Sequence, residues 1–307
     1  MINRVIIRIK VLQIIYAYYL KESKDLALAE NELMFSLQKS YDLYLSLLLL
    51  IPAITDQRQK QLDKNKHKFL ATEEEKNPNT RLINNRLSEQ LNNNSQLQSF
   101  FNEKGSMWIN EQAFLRKISD QIVSSDIYDK YLQSPDSFES DKEFWRSVFK
   151  KIILTNEDLS ELLEENSIYW NDDLDIIGTF VLKTIKQSEN SASPEQPLLP
   201  MFKNNEDKEF AQKLLKQTIL DESSSKERIN KHIKNWELER IASIDLNIMQ
   251  IAIAELLHFP SIPIKVTLNE YIDISKCYSS SKSSIFINGT LDAIVKDLKE
   301  EKLLFKN

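Results

Sequence analysis

Glycine is almost missing from this chain of 307 residues: only Gly105, Gly178 and Gly289 occur. Tight hairpins and phosphate-cradling loops need backbone at positive φ, which glycine adopts without steric cost. Its scarcity argues against nucleotide-binding sheet folds and for an all-α chain. Cysteine is rarer still. The single Cys277 excludes an intramolecular disulfide and fits a reducing compartment, and a small buried apolar side chain is the expectation for it. Three histidines, His67, His232 and His258, stand far apart without HExxH or Cys-x-x-Cys context, so neither a zinc site nor a histidine-based triad is read. We therefore read no active site, no cofactor and no metal, and expect a protein that is not an enzyme.

Long hydrophobic runs are also lacking. Leu45 to Ile54 is apolar but only ten residues long, with a Ser and a Pro inside, too short to span a bilayer. The basic start, Arg4, Arg8 and Lys10 before an apolar run to Leu20, fails as a signal peptide because Lys10 and Gln13 interrupt it and no small-x-small cleavage site follows. A cytoplasmic protein without a membrane partner is expected.

What is present is a globular composition, 41% apolar with 9% aromatic, and a net charge of −6. Such a field does not attract nucleic acid, so any RNA site must be a local patch. One candidate is at the start, where the first 24 residues hold five cations, Arg4, Arg8, Lys10, Lys21 and Lys24, against Glu22. Arg4 and Arg8 are i,i+4 neighbours and can meet one ligand.

Along the chain, residues 2 to 20 read as a helix buried on most faces, and a second helix is expected over Leu26 to Leu50, ended by Pro52. From Thr55 to Lys104, fifteen of fifty residues are Asn or Gln and apolar residues thin out except around Leu82, Ile83, Leu87 and Leu91, which predicts a marginal helix or two between loops. Helical periodicity returns between Trp108 and Leu132 through Leu115, Ile118 and Ile122. Ser140-x-x-Glu143 reads as a capping box opening a helix that buries Phe144, Trp145, Val148, Phe149, Ile152 and Ile153. Another helix carries Ile176, Ile177, Phe180, Val181, Thr184 and Ile185. Between these two, Glu157 to Asp175 holds eight carboxylates and no Lys or Arg, which reads as a solvated acidic face, with docking of a basic protein as the competing reading.

Pro194, Pro197 and Pro200 mark Ser188 to Asn205 as an extended linker. Helices are expected beyond it at about 206–220, 226–234, 245–258, 264–278 and 283–303. In the last of them Ile287, Leu291, Ile294 and Leu298 form a packing seam, and Gly289 inside it implies close approach of a helix or a ligand.

Three blocks in the C-terminal part belong together. They are Trp236-Glu237-Leu238-Glu239-Arg240-Ile241 with the apolar helix through Ile248, Ile251, Ala252, Glu255 and Leu256; Pro263 to Lys276; and Phe286-Ile287-Asn288-Gly289-Thr290-Leu291-Asp292. With Arg8, Gln13 and Tyr16 in the first helix, and Phe210, Ala211 and Leu214 before the blocks, they resemble the NusB family of bacterial transcription antitermination factors. The resemblance covers roughly residues 1 to 24 and 206 to 298 and leaves about 55 to 200 unexplained. It implies a NusB-like helical bundle built from residues 1–54 and 204–307, with a helical insert over 55–203.

The resemblance also implies a function: binding the boxA RNA of ribosomal RNA operons together with NusE, a small-subunit ribosomal protein, in the transcription elongation complex. By position, Arg4 and Arg8 become phosphate contacts within the basic set that includes Lys10, with Gln13 and Tyr16 behind them. Lys282, Ser283, Ser284, Phe286 and Asn288 become the second RNA surface, where Phe286 is either a base-stacking platform or a core side chain. Asp245, at the beginning of the apolar helix, reads as an N-cap or first-turn carboxylate, and the resemblance implies a contact with NusE there. Val5, Ile6 and Ile7 stand where the family has more basic residues, and Ile285 where a basic residue precedes the Phe. A weaker phosphate term follows. The competing reading is a helical interaction scaffold that has lost autonomous RNA binding, and a homodimer stays open. A similar helical domain also precedes ribosomal RNA cytosine methyltransferases, but the glycine-rich cofactor sheet and catalytic cysteines of those enzymes have no counterpart here.

Overall fold

In a computed structural model of the chain, all residues are described except 22–23, 192, 234–239 and 305–307. The described residues form α1 Arg4–Leu20, α2 Leu26–Lys66, α3 Glu73–Lys76, α4 Arg86–Asn92, α5 Ser95–Lys104, α6 Gln112–Val123, α7 Asp126–Gln133, α8 Phe138–Val148, α9 Glu157–Asn166, α10 Leu174–Gln187, α11 Asn205–Leu220, α12 Glu222–His232, α13 Ser243–His258, α14 Ile264–Tyr278 and α15 Ser281–Glu300. A 3-10 turn covers Met107–Ile109 and a π-helical turn covers Phe149–Ile153. The fold is all-α; the one β-bridge among the described residues pairs Ile2 with Phe202.

Two compact units result: a terminal unit of residues 2–37 and 202–307, and a central unit of Met1 with residues 38–201. In the terminal unit α1 is started by Asn3, whose side chain accepts the Ile6 N–H at 3.0 Å. Ile6, Ile7, Val11, Leu12 and Ile15 are buried on every side of it, as its apolar wheel predicts. α13 is the axis of this unit and packs against α1, α11, α12, α14 and α15. Every residue from Asn247 to Leu256 is buried. The seam of Ile287, Leu291, Ile294 and Leu298 lies in the core, as expected.

The central unit differs from its sequence reading in several places. α2 does not stop before Pro52 but runs through it to Lys66. A helical proline removes one backbone hydrogen bond and costs about 3 kcal/mol. Burial of Leu50, Ile51 and Ile54 around it, with Leu62 farther on, offsets that cost. The Asn/Gln-rich stretch is better ordered than its composition suggests: Leu82, Leu87, Leu91 and Leu97 are all buried. The helix expected from Ser140 begins three residues earlier, with Ser137 as N-cap accepting from Ser140 N–H at 3.2 Å. Ser140 merely repeats the residue type one turn on.

The close approach expected at Gly289 is found instead at the other helical glycine, Gly178. Gly289 is exposed, and a Cβ there would meet nothing within 4 Å, so no close approach explains it. At Gly178 a Cβ would stand 2.5 Å from Leu154 Cδ2, just past the π-helical turn. Cys277, expected inside, is exposed. In the acidic stretch Glu157, Glu161, Glu164 and Glu165 are exposed along α9, Asp158 pairs with Lys117 at 2.6 Å, and Asp173 is buried and accepts from Ser40 Oγ at 2.5 Å. No helix among the described residues is long and apolar enough to cross a membrane.

Candidate nucleic-acid interface

The cations of α1 divide sharply. Arg8 is 3% exposed and its guanidinium forks onto Glu255 of α13, with Nε and Nη2 each 2.8 Å from a carboxylate oxygen, while Nη1 donates to Glu270 at 3.0 Å. Thr267 and Tyr271 of α14 each donate to Glu255 at 2.9 Å. Burial opposes the charged guanidinium, but the Glu255 hydrogen bonds and the charges of Glu255 and Glu270 outweigh it, and Arg8 stays above its ordinary pKa. Burial, then the Glu255 charge, pushes the Tyr271 phenol well above its usual value, so it remains a donor.

This commitment corrects the expectation that Arg8 is a phosphate contact. An arginine held by two carboxylates inside a core has no donor face left for RNA, and it joins α1 to α13 and α14 instead. Lys10 is fully buried as well and offers no surface to a phosphate. Ser284 is also buried, turned back toward the Ser280 carbonyl at 3.5 Å.

Other candidates stay at the surface. Arg4 is half-exposed, its Nε 3.5 Å from Asp207 and its guanidinium over the Phe210 ring at 5.0 Å. Tyr16 is exposed. Gln13 donates to the Tyr278 hydroxyl at 3.4 Å, a contact between α1 and the end of α14, two residues before Ser280 caps α15. There Ser280 Oγ accepts Ser283 N–H at 3.1 Å and Lys282 is exposed. The N-terminus of a 20-residue helix leaves donors and a positive dipole end facing solvent, which suits an anion. Phe286 and Asn288 are half-buried, so Phe286 is neither a free platform nor a full core residue.

Asp245 is not a cap. Ala242 holds the N-cap position of α13 and no side chain caps the helix. Asp245 lies in the first turn, 5% exposed, with Oδ1 lacking any hydrogen-bond partner. Among the described residues no cluster of His, Cys, Asp or Glu is arranged to hold a metal ion.

The sequence pattern of the NusB family matches residues 174–296. The transcription antitermination protein NusB of Salinibacter ruber is 37% identical over 132 residues, 41% of this chain and 82% of the relative. The protein of the same name from Geotalea daltonii is 34% identical over 136 residues, covering 44% of this chain and 91% of its own length. This chain belongs to the NusB family. A third NusB, from Chloroherpeton thalassium, is 45% identical over 100 residues, 33% of this chain and 47% of that protein. No solved structure matches the chain.

Within the family block, sequence reasoning missed Glu255, Glu270 and Tyr271 as partners of Arg8, although Glu255, the one charged residue between Asp245 and His258 in an apolar helix, was the available signal. Such a group needs a buried counter-charge. Part of the first block, Trp236 to Glu239, lies outside the described residues.

Proposed function

We propose that the protein is a non-catalytic transcription antitermination factor that binds boxA-type RNA of ribosomal RNA operons together with NusE, within the transcription elongation complex. The observation that carries the reading is the Gln13–Tyr278 contact, which ties the middle of α1 to the end of α14, two residues before the Ser280 cap of α15. Arg4, Tyr16, Lys282, Ser283, Phe286 and Asn288 supply the cation, aromatic and polar groups that single-stranded RNA recognises. With Arg8 and Lys10 enclosed, the phosphate term rests on few charges, and affinity depends on the basic partner. Asp245 is the acidic residue we assign to NusE, through its charge at the start of α13 rather than through the enclosed Oδ1.

Titration of the full chain with boxA-like RNA, with and without NusE, tests the reading. Arg4→Gln with Lys282→Gln lowers the log-log salt slope by roughly 0.7 for each phosphate that is no longer neutralised. An unchanged slope removes both from the site. Asp245→Asn weakens NusE binding most at low salt; equal affinities across a salt series would exclude Asp245 from the interface.

A further inference from the structure

The far end of α2, in the central unit, carries a cluster that the reading above does not use. Lys64 and Lys66 stand in the last turn of the helix, His67 and Lys68 follow it, and all four are exposed. Next come Phe69, 100% exposed, and Leu70, 84% exposed. No large apolar side chain among the described residues lies more open than Phe69. Nearby carboxylates are partly engaged: Glu75 pairs with Lys68 at 2.7 Å and Asp63 accepts from Gln59 at 2.9 Å. Lys64 and Lys66 form no ion pair among the described residues.

A bare phenylalanine among lysines is unfavourable in water and is neutralised by nothing in its own unit. It offers a flat aromatic face beside cations, the pair of features that holds an unstacked base and its flanking phosphates. We propose that residues 64–70 form a second contact for single-stranded RNA, with Phe69 beneath a base and Lys64 and Lys66 against phosphates. The proposal takes its ligand class from the RNA reading above and assigns it a separate site in the central unit. Charge selects the occupant. Lys64 and Lys66 suit a polyanion, while Lys68 is held by Glu75, and these two lysines of the last turn also offset the negative dipole end of α2, which by itself would repel phosphate.

The test uses the full chain and a uridine-rich 20-nucleotide single-stranded RNA carrying 4-thiouridine. Ultraviolet cross-linking followed by peptide mass spectrometry is expected to find adducts on the peptide containing Phe69. In filter binding, Phe69→Ala weakens affinity at least about fivefold, and Lys64→Gln with Lys66→Gln lowers the log-log salt slope by about 1.4. These side chains are exposed, so the variants fold. Adducts confined to peptides of α1 and α15, with unchanged affinity for Phe69→Ala, overturn this site and leave the RNA reading standing. Absence of RNA binding by the parent chain at any salt, with or without NusE, overturns both. Co-sedimentation with phosphatidylserine vesicles that disappears in Phe69→Ala, while RNA affinity holds, assigns the cluster to a lipid surface instead.

Discussion

Each unit sinks one carboxylate deeper than any other among the described residues, and the two are satisfied by different means. Glu255 in the terminal unit is 0% exposed and meets a buried guanidinium on both oxygens, with Thr267 and Tyr271 completing its shell. Asp141 in the central unit is 2% exposed and leans on the Tyr131 hydroxyl at 2.6 Å and the Arg86 backbone N–H at 3.1 Å. Its charged partner, Arg86 Nη1, is farther off at 3.3 Å and partly in solvent. The Arg86 N–H belongs to the first turn of α4, so the positive end of a short helix assists. A carboxylate beyond the first turn of an apolar helix, as Glu255 is near the end of α13, has no free backbone donors around it, because every N–H is already in the helix ladder, and it must recruit a cation from a distant element. One packed beside the start of another helix finds a free backbone N–H there and needs a full counter-charge less.

Removing the cation in the terminal unit is therefore expected to do the most damage. Arg8→Met leaves Glu255 buried without a counter-charge and lowers stability by about 3–5 kcal/mol. Urea denaturation with hydrogen-exchange mass spectrometry reads it, with protection falling first in α1, α13 and α14; a destabilisation under about 1 kcal/mol would end the contrast. In the central unit Tyr131→Phe removes one charge-assisted donor from Asp141 and costs about 1.5–3 kcal/mol, visible in the same exchange experiment as loosening of α7 and α8. A cost equal to that of Arg8→Met would mean that Asp141 is no better provided with local donors than Glu255.

The glycines sharpen the same comparison at smaller scale. Gly178→Ala drives a methyl group into Leu154 and is expected to cost about 1–3 kcal/mol by overpacking, measured as a fall in Tm. Gly289→Ala meets open space in an exposed helix interior and should raise stability by about 0.5–1 kcal/mol. Destabilisation by Gly289→Ala would revive a close neighbour at that position.

Local pattern alone determined a good part of this molecule. Scarcity of glycine and apolar residues at helical spacing led to an all-α fold, and the 264–278 helix and the Ile287 to Leu298 seam stand where the periodicity puts them. The family blocks were legible because they are contiguous. Tertiary structure alone decided that Arg8 and Lys10 face inward, that α2 passes through Pro52, and that Gly178, not Gly289, is the crowded glycine. The reason is distance along the chain. Helical periodicity is set by neighbours three or four positions away, whereas the partner of Arg8 lies 247 positions off and the packing that lets α2 continue through a proline comes from a core assembled only on folding.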